Sequence, residues 1–154
     1  MDRDEAIYED LRLELVRFAT AVVGPSDAED VVSRVVLKVL RRPGGLGGLR
    51  EPRPYLIRAV INEGRSRLRT RGGETVDALD DIEAESGADG DNRGSLVRLV
   101  SFLPARQRAA TFLVYWEGHT SASAAELMGC RPGTVRRYLH LAREALKEMI
   151  DDED

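Results

Sequence analysis

The stretch "GCRPGTVRRYLHLARE", residues 129–144, sets two glycines and a proline directly before a run with helical periodicity. Val135, Leu139, Ala142 and, just beyond it, Leu146 repeat at spacings of four, three and four, which makes one apolar stripe. Arg136, Arg137, His140 and Arg143 fall on the neighbouring arc. Immediately upstream, "SASAAELM" reads as a shorter helix capped by Thr120 or Ser121 and closed by Gly129. A short helix, a turn at Gly129-Cys130-Arg131 and a longer helix opened by Pro132 make a helix-turn-helix. Its second helix suits a DNA major groove, with N-terminal residues near base edges and arginines further along on phosphates. Pro132 lacks an amide hydrogen, yet the positive helix end still favours phosphate. Cys130 is the chain's single cysteine and reads as a packed turn residue rather than a redox sensor, since no second thiol exists to resolve it. His140 fits a polar surface residue and a DNA contact equally well.

Working outward, Pro104 opens "PARQRAATFLVYW", in which Ala109, Phe112, Leu113 and Trp116 form an inward stripe. That placement makes Trp116 a core residue rather than a stacking platform for a base. Leu96, Leu99 and Val100 predict a short helix before Leu103-Pro104. Residues 72–94 show little periodicity and many Gly, Asp and Glu, the signature of a flexible acidic linker. Its "DDIE" is not a metal site on this reading, because nothing rigid would hold the ligands. Fully extended, such a linker reaches on the order of 80 Å.

The N-terminal block is also helical. Ile7, Leu11, Leu15, Phe18 and Val22 form one stripe, Gly24-Pro25 ends it, and Ser26 with Glu29 predicts a capping box for a second helix. "PGGLGGLREPRP" (43–54) is a turn region, and Pro54 lies in the first turn of a third helix reaching about Arg71. On that helix Leu56, Val60 and Leu68 share a face with Gly64, a close-packing position. Arg58, Asn62, Arg65 and Arg69 line another side. Arginines alone fit a solvated face as well as a nucleic-acid face. The asparagine among them favours the latter, because its amide pairs with base edges while arginines hold phosphates.

Composition bounds the rest. With 42% hydrophobic but only 5% aromatic residues, the core of this 154-residue chain is mostly aliphatic. The net charge of −4 hides an uneven distribution: residues 1–71 carry +3, 72–94 carry −7, 95–150 carry +4 and the last four residues −4. Two mildly basic blocks are thus joined by an acidic strap. The expected architecture is all-α: a helical domain over 1–71, a linker over 72–94 and a helix-turn-helix domain over 95–154. No metal cluster, cofactor motif, membrane span or nucleophile–base pair is readable, so neither an enzyme nor a membrane protein is expected, and the setting is expected to be cytoplasmic.

The segment "LPARQRAATFLVYWEGHTSASAAELMGCRPGTVRRYLHLAREAL" resembles, without a gap, the C-terminal promoter-binding domain of bacterial sigma factors. "DAEDVV" followed by "LKV" is similar to the sigma segment that grips the polymerase clamp, and "YLIRAVINEGRSRLR" to the promoter-melting helix. Two such domains joined by a short linker resemble the extracytoplasmic-function (ECF) group. The resemblance implies a promoter-specificity subunit that binds core RNA polymerase, through the largest-subunit clamp helices and the flap, and promoter DNA. It implies that Asp27, Glu29, Asp30, Leu37 and Lys38 face the clamp helices. It assigns Arg58, Asn62, Arg65 and Arg69 to the downstream (−10) element and its melting, where an unstacked base must be captured. It assigns Arg131, Thr134, Arg136, Arg137, His140 and Arg143 to the upstream (−35) element. An inhibitory anti-sigma factor is a further family expectation.

The pattern also departs from the family. Ser33-Arg34 stands where the family usually has glutamine and an acid, Val36 where it has phenylalanine, and Leu40 where tryptophan is frequent. A reversed charge at Arg34 implies altered association with polymerase. Ala124 replaces a larger apolar residue, implying lighter packing under the recognition helix, worth about 1–3 kcal/mol. Two other readings compete: a plain helix-turn-helix regulator, and a sigma-like factor that occupies polymerase without initiating.

Overall fold

The computed structural model describes residues 2–70 and 98–153. The acidic segment 72–94, its "DDIE" and Leu96 lie outside the described residues. What is described is all-α, with no strand among those residues and no helix long and apolar enough to cross a membrane.

Helix α1 (Arg3–Val23) starts on Asp2, whose carboxylate accepts from the Asp4 N–H at 3.3 Å. Gly24, at φ 90°, closes α1 through a bond from its N–H to the Thr20 carbonyl, and opens α2 (Pro25–Leu40). The expected Ser26/Glu29 capping box does not form; no side chain caps this end. Pro25, pre-set at helical φ, begins the helix early and leaves Ser26 inside its first turn. A short 3₁₀ turn (Leu46–Gly48) buries Leu46 and is tied to α1 by the Gly47 N–H donating to Asp4 Oδ1 at 2.8 Å. Helix α3 (Pro52–Thr70) follows, with Pro54 in its first turn as expected.

Leu15, Phe18 and Val22 of α1, the buried valines of α2, and Leu56, Val60 and Leu68 of α3 form the aliphatic interior. Each such side chain contributes roughly 1.5–3 kcal/mol through burial. At Gly64 α3 lies close against α1: a Cβ there would sit 2.7 Å from Val22 Cγ1. The stripe expected on α3, with its close-packing glycine, is the one observed.

Residues 98–100 are helical and lead through Leu103-Pro104 into α4 (Ala105–Thr111). A π-helical turn (Phe112–Trp116) continues it, and Gly118, at φ 78°, ends it. This turn corrects one expectation. Trp116 is half-buried rather than a core side chain. Bonding of the Glu117 N–H to the Phe112 carbonyl, five residues back, inserts an extra residue into the turn and rotates Trp116 off the stripe of Ala109 and Leu113. Helix α5 (Ser121–Met128) is capped by Thr120, whose hydroxyl accepts from the Ser123 N–H at 3.0 Å. Helix α6 (Pro132–Glu153) buries Val135, Leu139 and Ala142 against α4 and α5. Ala124 is fully buried beneath it.

The two helical groups do not stand apart. One cluster of buried residues runs from Leu15, Phe18 and Val22 through Ala105 and Leu113 to Val135 and Leu139. The Phe18 and Phe112 rings cross this seam at 6.2 Å between centroids.

Candidate nucleic-acid interface

The helix-turn-helix is built as its sequence dictates. Gly129 adopts φ 75°, ψ 37°, a left-handed conformation that glycine enters without cost, and its N–H bonds to the Ala125 carbonyl at 2.8 Å. The Cys130 N–H bonds to the same carbonyl at 3.1 Å. Cys130 itself is half-buried against the core, and burial pushes its thiol pKa up. It is the packed turn residue its context predicts, poorly suited to thiolate chemistry. Beyond the turn, Arg131, Arg136, Arg137, His140 and Arg143 are all exposed, while Thr134 is half-buried at the first turn of α6. Helix α6 therefore carries Arg136, Arg137, His140 and Arg143 on its solvent side, with Arg131 exposed in the turn that precedes it.

Arg143 has a neighbour the sequence did not suggest. Its Nη1 donates to the hydroxyl of Tyr115 at 3.1 Å, from a side chain that is itself 54% exposed. The π turn brings this tyrosine to the surface beside α6, and apolar periodicity gives no signal for it.

On α3, Arg58, Asn62 and Arg69 are exposed and Arg65 is half-buried. At the N-terminal end of this stripe lies a cleft of about 180 Å³ lined by Leu49, Arg50, Glu51, Pro54, Tyr55 and Arg58. Arg42 lies over the ring of one lining residue, with its guanidinium carbon 5.3 Å from the Tyr55 ring centre and Nη1 bonded to the Tyr55 hydroxyl. An aromatic face beside several guanidiniums offers stacking and cation–π contact to a planar base. Arg58, however, is already engaged. Its Nη2 donates to the Glu126 carbonyl of α5 at 3.0 Å, and its side chain lies so close against Gly129 that a Cβ there would collide with Nε.

The third surface is on α2. Glu29, Asp30, Leu37 and Lys38 are exposed, Leu37 at 50%, with Leu40 beside them. Asp27 differs: only 14% of its side chain is exposed, and it turns toward α3. The reason is Arg67, which lies off the Arg65/Arg69 line and faces α2. Arg67 reaches Asp27 at 3.4 Å and Asp30 at 2.5 Å, with Glu63 4.0 Å away. Arg34 adds a contact to Asp30 at 3.4 Å, and Lys38 one to Glu63 at 3.6 Å. The hydrogen bond from Arg67 holds the Asp30 carboxyl below its ordinary pKa. Val36, smaller than the phenylalanine of the related pattern, is buried rather than presented on this surface. Among the described residues, no group of three or more His, Cys, Asp or Glu is placed to hold a metal ion.

Comparisons with known proteins agree with this geometry. The family model described as "Sigma-70, region 4" matches residues 93–146. The RNA polymerase sigma-E factor of Streptomyces avermitilis is 31% identical over 91% of this chain and 80% of its own. The ECF RNA polymerase sigma factor SigL of Mycobacterium tuberculosis is 30% identical over 96% of this chain and 88% of its own. Among solved structures, the sigma factor RpoE of Bartonella quintana, crystallised with the anti-sigma factor NepR, shares the fold at a TM-score of 0.62. It is 22% identical, with 96% of this chain and 98% of that one covered. A helix-turn-helix joined to a second all-α group with its own basic face thus defines the class as that of the bacterial sigma factors. Within it, this chain belongs to the ECF RNA polymerase sigma factors.

Proposed function

We propose that this protein binds core RNA polymerase and directs it to promoters by reading two DNA elements and helping to open the downstream one. In this role the polymerase supplies the chemistry, and the protein works in the cytoplasm. The division of labour follows the helices: residues 1–71 serve polymerase and the −10 element, residues 95–154 serve the −35 element, and 72–94 connect them. The observation that carries the reading is the α6 surface, where Arg136, Arg137, His140 and Arg143 are exposed together, with Arg131 exposed in the well-formed turn before them.

Each surface has a stated task. Arg136, Arg137 and Arg143 hold phosphates, with Arg143 steadied by Tyr115, while Arg131, Thr134 and His140 sit nearest the bases. Asn62 meets a base edge of the melted strand, Arg65 and Arg69 hold its backbone, and the Tyr55 cleft receives an unstacked base. Glu29, Asp30, Leu37 and Lys38 meet the clamp helices. Asp27 acts with Arg67 to hold α2 in register on α3 rather than touching polymerase itself. An anti-sigma factor, such as the one bound to the Bartonella relative, is the expected inhibitor.

The test is a paired measurement on core RNA polymerase. The unaltered chain should form a stable complex, Leu37→Asp should lose it, and Arg136→Ala should keep it. Failure of the unaltered chain to bind core polymerase overturns the reading in favour of a plain DNA-binding regulator.

A further inference from the structure

The phenol of Tyr115 lies beside the basic arc of α6 with more than half of the side chain exposed. The π turn Phe112–Trp116 puts it there. Such turns interrupt the regular helical ladder and recur at functional sites. Here the Glu117 N–H reaches the Phe112 carbonyl at 3.0 Å and the His119 N–H the Leu113 carbonyl at 2.9 Å, which fixes the turn. Arg143 Nη1 donates to the Tyr115 hydroxyl oxygen at 3.1 Å. A guanidinium has no acceptor, so the phenol's own hydrogen turns elsewhere. Among the described residues that hydrogen meets no acceptor, and Arg143 makes no second hydrogen bond or ion pair. The pair thus presents several N–H donors and one O–H donor on the solvent side of α6.

From this we infer that Tyr115, beyond steadying Arg143, contacts DNA itself: its O–H and an Arg143 N–H donate to the same phosphate of the duplex that α6 enters. The inference rests on the assignment of α6 to the upstream element. Spacing supports it. Arg136, His140 and Arg143 follow one another at four and three residues, one line along the helix. At 1.5 Å per residue, Arg143 stands roughly 10 Å beyond Arg136 along the axis. With α6 entering by its N-terminal end, that rise exceeds the major groove's depth of about 8.5 Å and brings Arg143 out to the rim, where the phosphates run. Accepting from a cation polarises the phenol and strengthens its O–H as a donor. Two donors held at fixed spacing also set the position of the anion, which a lone flexible arginine does not.

The test uses the full chain and a fluorescent duplex of random sequence, since phosphate contacts need no particular bases. Affinity is followed over roughly 50 to 200 mM salt. Tyr115→Phe keeps the ring and removes only an exposed hydroxyl, so the fold stands. It should weaken binding by about three- to tenfold throughout the series. The slope of log K against log salt should stay at the parent's value, because no charge is lost. Arg143→Ala, in contrast, should reduce that slope by about 0.9. A slope reduced by Tyr115→Phe as it is by Arg143→Ala would make the phenol only a support for the arginine and overturn the inference. Parental affinity in Tyr115→Phe, with Arg136→Ala still weakened, overturns it too while keeping α6 on the DNA. No duplex binding by the parent, or no loss in Arg136→Ala, rejects the assignment of α6 itself and the shared phosphate with it.

Discussion

The guanidinium of Arg108 donates to the carbonyl oxygen of Val22, 86 residues earlier in the chain, at 2.6 Å. This bond lies inside a seam where both residues are essentially sealed from water. A buried cation is tolerated only when its donors are matched, and here carbonyls from both sides of the seam do the matching. Arg108→Met should keep most of the volume yet strip those carbonyls of their donor. The expected loss is about 3 kcal/mol, read as a lower urea midpoint. An unchanged midpoint would remove Arg108 from the fold's support.

Gly64→Ala tests the close approach of α3 to α1. In an open helix the change would gain about 1 kcal/mol. Here the new methyl would sit 2.7 Å from Val22 Cγ1 and 3.1 Å from Val23 Cγ1. Overpacking of roughly 1–3 kcal/mol should win, lowering the melting temperature. Adding Val22→Ala should recover part of the loss, and a melting temperature raised by Gly64→Ala alone would contradict the packing.

Acid sensitivity follows from Asp30. Its folded-state pKa lies below the unfolded value, chiefly because Arg67 bonds to it. The contribution is therefore present above the ordinary carboxylate pKa of about 4 and is lost as pH falls through the lower folded value. Asp30→Asn should be less stable at neutral pH and show a flatter decline below about pH 4. Because the carboxylate is at the surface, 0.5 M salt should shrink the difference. An acid limb identical to the parent's would sink this assignment.

How much of this was legible beforehand depended on the physics of each residue. Repeating apolar spacing fixed the helices around Leu56, Val60 and Val135, because burial acts through local periodicity. Gly129 and Thr120 were readable because turn and cap chemistry is local too. The same logic failed at Ser26, where Pro25 started the helix first, and at Trp116, where a π turn broke the period. Arg67, Arg108 and Tyr115 were silent. An arginine carries no periodic signal of burial, and its partners Asp27 and Val22 lie 40 and 86 residues away. The arcs on α3 and α6 were visible in the sequence; that Arg58 is taken up by the other half was not.

The two surfaces proposed to meet DNA should separate cleanly by mutation. Arg136→Ala or Arg137→Ala should weaken binding to an upstream-element duplex and reduce the salt slope, log K against log salt, by about 0.9 for each phosphate no longer neutralised. An unchanged slope would take the residue off the phosphates. Asn62→Ala should leave core-polymerase binding intact but impair promoter opening, measured by permanganate reactivity of unpaired thymines. Normal opening would end its assigned role.

The most direct measurement is transcription in vitro on fragmented genomic DNA with core RNA polymerase, with and without the protein, mapping transcript 5′ ends. The account predicts new start sites that share two upstream motifs at fixed spacing and vanish with Arg136→Ala/Arg137→Ala. Complexes with core polymerase that yield no new start sites would contradict an initiating role and leave a factor that occupies polymerase without starting transcription.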